Sequence, residues 1–158
     1  SLADGTAYDT MSPKIDFKEV APGADDARQP MLQYVEYCTI PKELVELVYL
    51  RVSQINGCAY CVDLHTRRLR EYGEGERKIA TVIAWRDAPF FTEREEIALE
   101  WAEAVTNLGI DHIPNELDER ISAEFSEREI VDLTFVIGLM NMLNRISVSL
   151  HRQPPTDA

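Results

Sequence analysis

The chain has 158 residues, about the size of one domain. Hydrophobic residues make up 45% of it and charged residues 28%, which is typical of a globular protein and excludes fibrous and disordered classes. The formal net charge of −12 disfavours binding to nucleic-acid phosphates and to anionic membrane surfaces, because both attract basic proteins. We therefore expect neither a nucleic-acid partner nor a membrane partner.

The cysteine count, the first residues and the most apolar stretch bear on whether the protein is secreted, membrane-bound or cytoplasmic. Three cysteines are too few for a secreted disulfide framework, and residues 1–10 lack the basic start and apolar run of a signal peptide. The most apolar stretch, residues 133–143, is shorter than the roughly 20 residues that a bilayer requires. We therefore expect a cytoplasmic protein.

The hydrophobic pattern repeats about every 3.6 residues and predicts an all-α fold. We expect a flexible tail over residues 1–13, a single domain over residues 14–152 and a second tail over residues 153–158. Residues 13–23 are expected to form an irregular arm. Helices are predicted over residues 25–37, 41–55, 58–72, 76–85, 93–107 and 127–144, with a lesser helix around residues 117–125.

Local signals mark several helix ends. Pro41 suits a first helical turn, where its missing N–H group has no partner to lose. Asn56 and Gly57 are typical residues at a helix end. Thr92 and Ser126 are each followed three residues later by glutamate, so each predicts a capping box at the start of a helix.

Cys58 and Cys61, at the start of a predicted helix, are the candidate reactive residues. Cys58 and Cys61 are spaced to form a disulfide across one turn, and the positive end of the helix dipole stabilises a thiolate. His65 lies four residues after Cys61 on the same face, where its imidazole can accept the thiol proton. A helical hairpin that turns at residues 56–57 would bring the carboxylate of Glu46 back beside the pair.

Other interpretations of these residues remain open. The cysteines can be two small buried apolar side chains. Together with His65 they can also be zinc ligands, with Cys38, His112 or His151 as the fourth, although no second ligand pair at zinc-finger spacing is present. Glu46 alone fits a solvated helix face, since the chain has 28 carboxylates.

The pattern Glu-x11-Cys-x2-Cys-x3-His, from Glu46 to His65, resembles the core of the alkylhydroperoxidase D-like proteins in the carboxymuconolactone decarboxylase superfamily. The likeness continues beyond the motif and covers about residues 14–150, nearly the whole chain. The segments that carry it are residues 50–61, 85–92, 98–104 and 144–146. The resemblance implies an all-helical bundle that assembles into trimers or hexamers. It also implies thiol peroxidase or disulfide reductase chemistry with Glu46, Cys58, Cys61 and His65 as catalytic residues.

On this basis we expect an antioxidant enzyme that reduces hydroperoxides through a dithiol–disulfide cycle. It would bind no cofactor and take electrons from an external lipoyl- or thioredoxin-type dithiol donor. The position of His65 one turn after Cys61 favours Cys61 as the attacking thiolate and Cys58 as the resolving one, whereas the helix dipole favours Cys58 as the attacker. The alternatives are a disulfide reductase adaptor that feeds a separate peroxidase and a non-catalytic metal-binding oligomer.

One position departs from the family pattern. Alkylhydroperoxidase D has a histidine between its cysteines, and this chain has Tyr60, whose phenol with an ordinary pKa near 10 does not relay protons as an imidazole does.

Other residues receive structural roles. Trp85, Arg86 and Asp87 are expected to pack at a helix end, near the cysteine pair or at a subunit contact. Cys38 is expected to be an inert core thiol, and His112 and His151 to lie at the surface. Residues 130–143 are apolar around most of the helix, which predicts burial in the centre or against another subunit.

Overall fold

A computed structural model describes residues 15–156, and within them the fold consists of helices without strands. The α-helices are α1 (Phe17–Val20), α2 (Pro22–Glu36), α3 (Lys42–Asn56), α4 (Ala59–Glu71), α5 (Glu76–Thr81), α6 (Glu93–Thr106), α7 (Asn115–Glu124) and α8 (Glu127–Ser149), and a 3-10 helix over Val82–Asp87 follows α5. The all-α prediction is confirmed. The predicted tail over residues 1–13 lies outside the described residues.

Helix α3 is the centre of the bundle and packs against α4, α6 and α8. Its apolar side chains include Val48 and Val52, which are fully buried. Facing them, α8 contributes Leu133, Val136 and Ile137, also fully buried. Burial of each such side chain contributes about 1.5–3 kcal/mol to the free energy of folding. These contacts hold α3 in place, and with it the start of α4, which follows directly.

The predicted irregular arm is wrong over most of its described length. Asp16 caps α1, since its side chain accepts the backbone N–H of Lys18 at 2.9 Å. Pro22 then occupies the first turn of α2, where its fixed φ is already helical. Helix α2 therefore begins at residue 22 and not at residue 25.

The predicted helix over residues 76–85 is divided. Helix α5 ends at Thr81, and Ala84 has a non-helical backbone within the 3-10 segment that follows. Val82 and Trp85 are both buried there. They are three residues apart, and a 3-10 helix has three residues per turn, so this geometry places both on the inner face.

Helix α8 continues to Ser149, beyond the predicted end at residue 144. Asn144 is fully buried and donates to the Ser53 hydroxyl oxygen at 3.0 Å, so it is satisfied inside the bundle and does not end the helix. With 23 residues, α8 is long and apolar enough to cross a bilayer by length and composition. It contacts α2, α3 and α6 and carries the buried polar side chains Asp132 and Asn144, as a core helix does.

The predicted helix ends are mostly confirmed. Both capping boxes form, Thr92 with Glu95 and Ser126 with Glu129. Gly57 ends α3 with a φ of 66°, a left-handed conformation that glycine adopts without strain. Pro41 immediately precedes the first turn of α3 instead of lying within it.

Candidate active site

The turn after α3 sets the position of the first cysteine. The left-handed Gly57 reverses the chain, and the N–H of Cys58 donates to the Ser53 carbonyl oxygen at 3.0 Å. Cys58 thereby becomes the N-cap of α4, and its sulfur accepts the N–H of Cys61 at 3.3 Å. A sulfur in this position lies at the positive end of the helix dipole, which favours its thiolate form.

Cys58 and Cys61 are joined by a disulfide, with their Cα atoms 5.3 Å apart. Both residues are buried, with exposed fractions of 1% and 4%. The predicted spacing across one helical turn is therefore compatible with a bond between the two sulfurs. Burial this deep prevents a broad protein surface from contacting the sulfurs directly.

His65, one turn after Cys61 on α4, pairs with Glu46 of α3. His65 is buried on the same side of α4 as Cys61, and its Nδ1 contacts Glu46 Oε2 at 2.6 Å. The predicted hairpin of α3 and α4 forms, and it brings Glu46 to His65. An Nδ1–H that donates to the carboxylate leaves Nε2 as the ring atom available for proton transfer.

Sequence reasoning missed Tyr49, although it lies one turn after Glu46 on α3. Its ring centroid is 4.9 Å from that of His65, so it holds one side of the imidazole. Burial, with the carboxylate of Glu46 nearby, raises the pKa of the Tyr49 phenol. The phenol therefore stays protonated and neutral beside the His65–Glu46 pair.

A cleft of about 470 Å³ opens beside the acidic member of the pair. Glu46 and Tyr49 line it, together with Tyr37 and Tyr72. Neither the cysteines nor His65 are among its lining residues. Glu46 is therefore in contact with solvent on the cleft side, while the sulfurs of Cys58 and Cys61 are covered.

Tyr60, which stands between the two cysteines, is stacked against the end of the chain. The guanidinium carbon of Arg152 lies 3.8 Å from the Tyr60 ring centroid. His151 has a φ of 56°, and the N–H of Arg152 donates to the Ser147 carbonyl oxygen at 2.9 Å, so the chain turns back after α8. Arg152 lies at the end of the predicted domain and has no predicted role, because only tertiary packing brings it to Tyr60.

A network of side-chain amides, of which Asn144 is fully buried, ties the turn before Cys58 to α8. Asn56 Nδ2 donates to the side-chain oxygens of Asn141 at 2.9 Å and of Asn144 at 3.0 Å. Asn144 Nδ2 in turn donates to Ser53 Oγ. Because Ser53 and Asn56 belong to the last turn of α3, the network fixes the residues from which Cys58 departs.

The structure places Trp85 and Arg86 around Glu103. Trp85 Nε1 donates to Glu103 Oε1 at 2.9 Å, Arg86 to Oε2 at 2.6 Å, and Arg51 Nε to Oε1 at 2.8 Å. Burial alone would raise the pKa of Glu103, but these hydrogen bonds hold it below its usual value. The cluster is the predicted packing at a helix end, and Asp87 is exposed outside it.

The ligands required for the zinc interpretation are not assembled. In the described part of the chain, no three His, Cys, Asp or Glu side chains are positioned to hold a metal ion. Cys38 is a half-buried free thiol whose pKa burial raises. His112 is exposed and His151 half-buried, close to the prediction of surface positions.

Comparison with known sequences identifies relatives over most of the chain. The sequence profile of the carboxymuconolactone decarboxylase family matches residues 22–104. The uncharacterized protein YdfG of Bacillus subtilis (strain 168) is 36% identical over 140 residues, which cover 89% of this chain and 95% of YdfG. The alkyl hydroperoxide reductase AhpD of Bradyrhizobium diazoefficiens is 33% identical over 102 residues, 64% of this chain and 46% of that protein.

Solved structures show the same fold. A protein of unknown function from Agrobacterium tumefaciens, associated by name with antioxidant defence and AhpD, has a TM-score of 0.89 and 36% identity, with 92% of this chain and 100% of that one covered. The debrominase Bmp8, solved with 2,3,4-tribromopyrrole, has a TM-score of 0.79 and 19% identity, with 87% and 74% covered. The second similarity concerns the fold alone.

Proposed function

The chain belongs to the carboxymuconolactone decarboxylase family, and we propose that it is a thiol-dependent peroxidase that reduces hydroperoxides through Cys58 and Cys61. AhpD-named relatives support a role related to peroxide metabolism. The observation that carries the proposal is the disulfide at the start of α4, with His65 one turn further along the helix and paired with Glu46. This arrangement supplies a thiolate-stabilising helix end, a resolving thiol and a base within one buried site.

The proposed cycle has three balanced steps. The Cys61 thiolate attacks the terminal peroxide oxygen, the O–O bond breaks, and the products are a sulfenic acid on Cys61 and an alkoxide that takes up a proton to become an alcohol. The Cys58 thiol then attacks the sulfenic sulfur, and the disulfide forms with release of water. A dithiol donor reduces the disulfide by thiol exchange and becomes a disulfide itself.

His65 and Glu46 serve the first step in this proposal. Nε2 of His65 accepts the proton of the attacking thiol, and Glu46 orients the ring through Nδ1 and stabilises the imidazolium that results. The imidazolium then returns its proton to the departing alkoxide. Tyr60 takes no part in proton transfer, so the histidine–glutamate pair carries this task alone.

The burial of the disulfide restricts the reductant. With exposed fractions of 1% and 4%, the cysteines favour a dithiol on a slender arm, such as a lipoyl group, over the flat surface of a thioredoxin-type protein. For the same reason small hydroperoxides are favoured over protein disulfides as oxidants. The adaptor function remains the second candidate, and a reducing cytoplasmic compartment, where dithiol donors are maintained, remains the expected location.

We further propose that the chain forms a homo-oligomer, a trimer or hexamer, through α8. Val131, Phe135 and Met142 are exposed by 48%, 48% and 39%, and they fall on one side of the helix with Gly138 between them. Tyr34 packs on Phe135, with ring centroids 5.9 Å apart, and extends this apolar strip. Such a strip is typical of a subunit contact.

Light scattering tests the assembly. We expect a species of several times 18.0 kDa for the native chain, and a smaller one for Phe135→Glu, which places a charge in the strip. The exposed Tyr37, replaced by glutamate, is the matched control and should leave the mass unchanged. A native chain that stays monomeric at micromolar concentration would contradict the proposal.

A peroxide-turnover assay with a lipoyl dithiol and with thioredoxin tests the proposed function. We expect turnover of small hydroperoxides, its loss in Cys58→Ser and Cys61→Ser, and its retention in Cys38→Ser. Trapping of sulfenic acid with dimedone in each single variant identifies the attacker: adduct in Cys58→Ser supports Cys61, and adduct in Cys61→Ser alone assigns the attack to Cys58. Rapid reduction of the disulfide without any peroxide turnover would reject the peroxidase and favour the adaptor.

A further inference from the structure

A second cavity lies where α1 meets the C-terminal end of α8. It has a volume of about 260 Å³ and shares no lining residue with the cleft beside Glu46. Phe17, Ile146 and Leu150 give it apolar walls. Lys18 and Arg152 add two cationic side chains. The cavity thus combines hydrocarbon surface with positive charge.

The two cations of this cavity have no carboxylate partner among residues 15–156. Most other lysines and arginines in that range form ion pairs, as expected in a chain with a net charge of −12. Asp16 also lines the cavity, and its Oδ1 accepts the backbone N–H of Lys18 as the cap of α1, so one carboxylate faces the same space and the lining keeps a formal charge of about +1. Two cations that line one cavity and form no ion pair within residues 15–156 favour an anionic ligand.

Arg152 connects this cavity to the cysteine pair. It lines the cavity and also covers Tyr60, the residue between Cys58 and Cys61, at 3.8 Å from the ring centroid. A ligand whose anionic group pairs with Arg152 therefore lies one aromatic ring away from the segment that carries the disulfide. Its remaining part has to pass along Tyr60 to reach the sulfurs, because neither cysteine lines the cavity.

We propose that this cavity binds the carboxylate and the adjoining short hydrocarbon chain of an organic acid, with Arg152 and Lys18 as the recognition groups. Arginine suits this role, because its planar guanidinium can pair with both oxygens of a carboxylate while it stacks on an aromatic ring. This substrate class rests on the proposed peroxidase function: the substrates are organic hydroperoxides that carry a carboxylate. Reduction of the peroxide group leaves that carboxylate unchanged.

Binding without turnover is the first test, with octanoate as the probe and calorimetry on the oxidised protein as the measurement. We expect octanoate to bind and octanol to bind far more weakly. Arg152→Gln should raise the Kd for octanoate about tenfold, the effect of one charge-assisted pair, and Lys18→Gln should raise it less. Arg77→Gln is the matched control, because Arg77 also stacks on an aromatic ring, that of Phe90 at 4.9 Å, away from this cavity. An equal Kd for the native protein and Arg152→Gln would overturn the inference.

The second test compares a carboxylated hydroperoxide with its methyl ester as substrates. The native protein should show a higher kcat/KM for the acid, and the acid-to-ester ratio should fall several-fold in Arg152→Gln but not in Arg77→Gln. Equal kcat/KM values for acid and ester in the native protein overturn the substrate class while the peroxidase function stands. Absence of turnover with every hydroperoxide rejects the peroxidase function and the substrate class with it, and the octanoate titration then decides the carboxylate site by itself.

Discussion

Glu46 on α3 and Asp132 on α8 are carboxylates of the same helical core with opposite surroundings. Asp132 is fully buried and accepts four donors: the Tyr34 hydroxyl at 2.5 Å, the N–H and hydroxyl of Thr39 at 2.9 and 2.7 Å, and Arg128 Nε at 3.3 Å. Among the described residues, Glu46 hydrogen-bonds with His65 alone, and it lines an open cleft.

The difference separates a carboxylate saturated with hydrogen-bond donors from one that has a single partner. Burial would raise the pKa of Asp132, but its donors lower it to about 2, so it stays charged and joins α2 and the following turn to α8. Glu46 contacts the His65 ring at 2.6 Å, the position from which a carboxylate orients an imidazole and stabilises its charged form. Asp132 should therefore govern stability, and Glu46 with His65 should govern the reactivity of the thiols.

The largest expected effect concerns stability. Asp132→Asn keeps the shape but sets an amide N–H₂ against existing donors, which should lower the free energy of unfolding by about 2 kcal/mol or more. Urea denaturation measures it, with the exposed Asp87→Asn as the control. Peroxide turnover by the folded variant should match that of the native protein. A large loss of turnover would show that Asp132 also affects the reactivity of the thiols.

The stabilisation by Asp132 should depend on pH. Its pKa is about 2 in the folded chain and near 3.9 when unfolded, so its contribution is present above about pH 4 and disappears as the pH falls toward 2. The stability difference between the native protein and Asp132→Asn should shrink by about 2 kcal/mol over that interval. Urea titrations at several acidic pH values measure it, and a constant difference would show that the charge of Asp132 is unimportant.

The next effect concerns His65. An unassisted thiol with a pKa near 8.5 is only a few per cent ionised at pH 7, and a base in hydrogen-bond reach can raise that fraction about tenfold, roughly 1.4 kcal/mol. His65→Ala should therefore slow peroxide turnover about tenfold near pH 7, with much of the loss recovered near pH 9. His112→Ala replaces an exposed histidine and should have no effect. His65→Gln, which preserves more of the buried volume, should show the same pH profile.

The smallest effect is expected for Glu46. Glu46→Gln retains a hydrogen bond to the ring but removes the charge that stabilises the imidazolium, so turnover near pH 7 should fall about threefold, the equivalent of a modest hydrogen-bond energy. Glu43→Gln, an exposed change one turn earlier on α3, is the control. The double variant Glu46→Gln/His65→Ala should be little slower than His65→Ala, since Glu46 acts through the ring. Additive losses would assign Glu46 an independent role.

The features predicted from the sequence are those with local signals. The capping boxes at Thr92 and Ser126 and the hairpin that brings Glu46 to His65 follow from spacing along one or two helices. The bonds of Asp132 to Tyr34 and Thr39 span more than 90 residues, and the stacking of Arg152 on Tyr60 also joins distant segments. Such contacts depend on how whole helices pack against one another, and the local sequence around each residue does not specify that packing.

If the His65–Glu46 pair activates a thiol of the cysteine pair, the pKa of that thiol in the reduced protein depends on His65. The measurement is the ultraviolet absorbance of the thiolate in the reduced protein as a function of pH, for the native chain, His65→Ala and Asp132→Asn, each with Cys38→Ser to remove the third thiol. We expect a thiol pKa about one unit higher in His65→Ala, corresponding to the tenfold change in ionisation, and an unchanged thiol pKa in Asp132→Asn. An unchanged thiol pKa in His65→Ala would contradict this activation, since the helix terminus alone would then activate the pair and the attack would pass to Cys58.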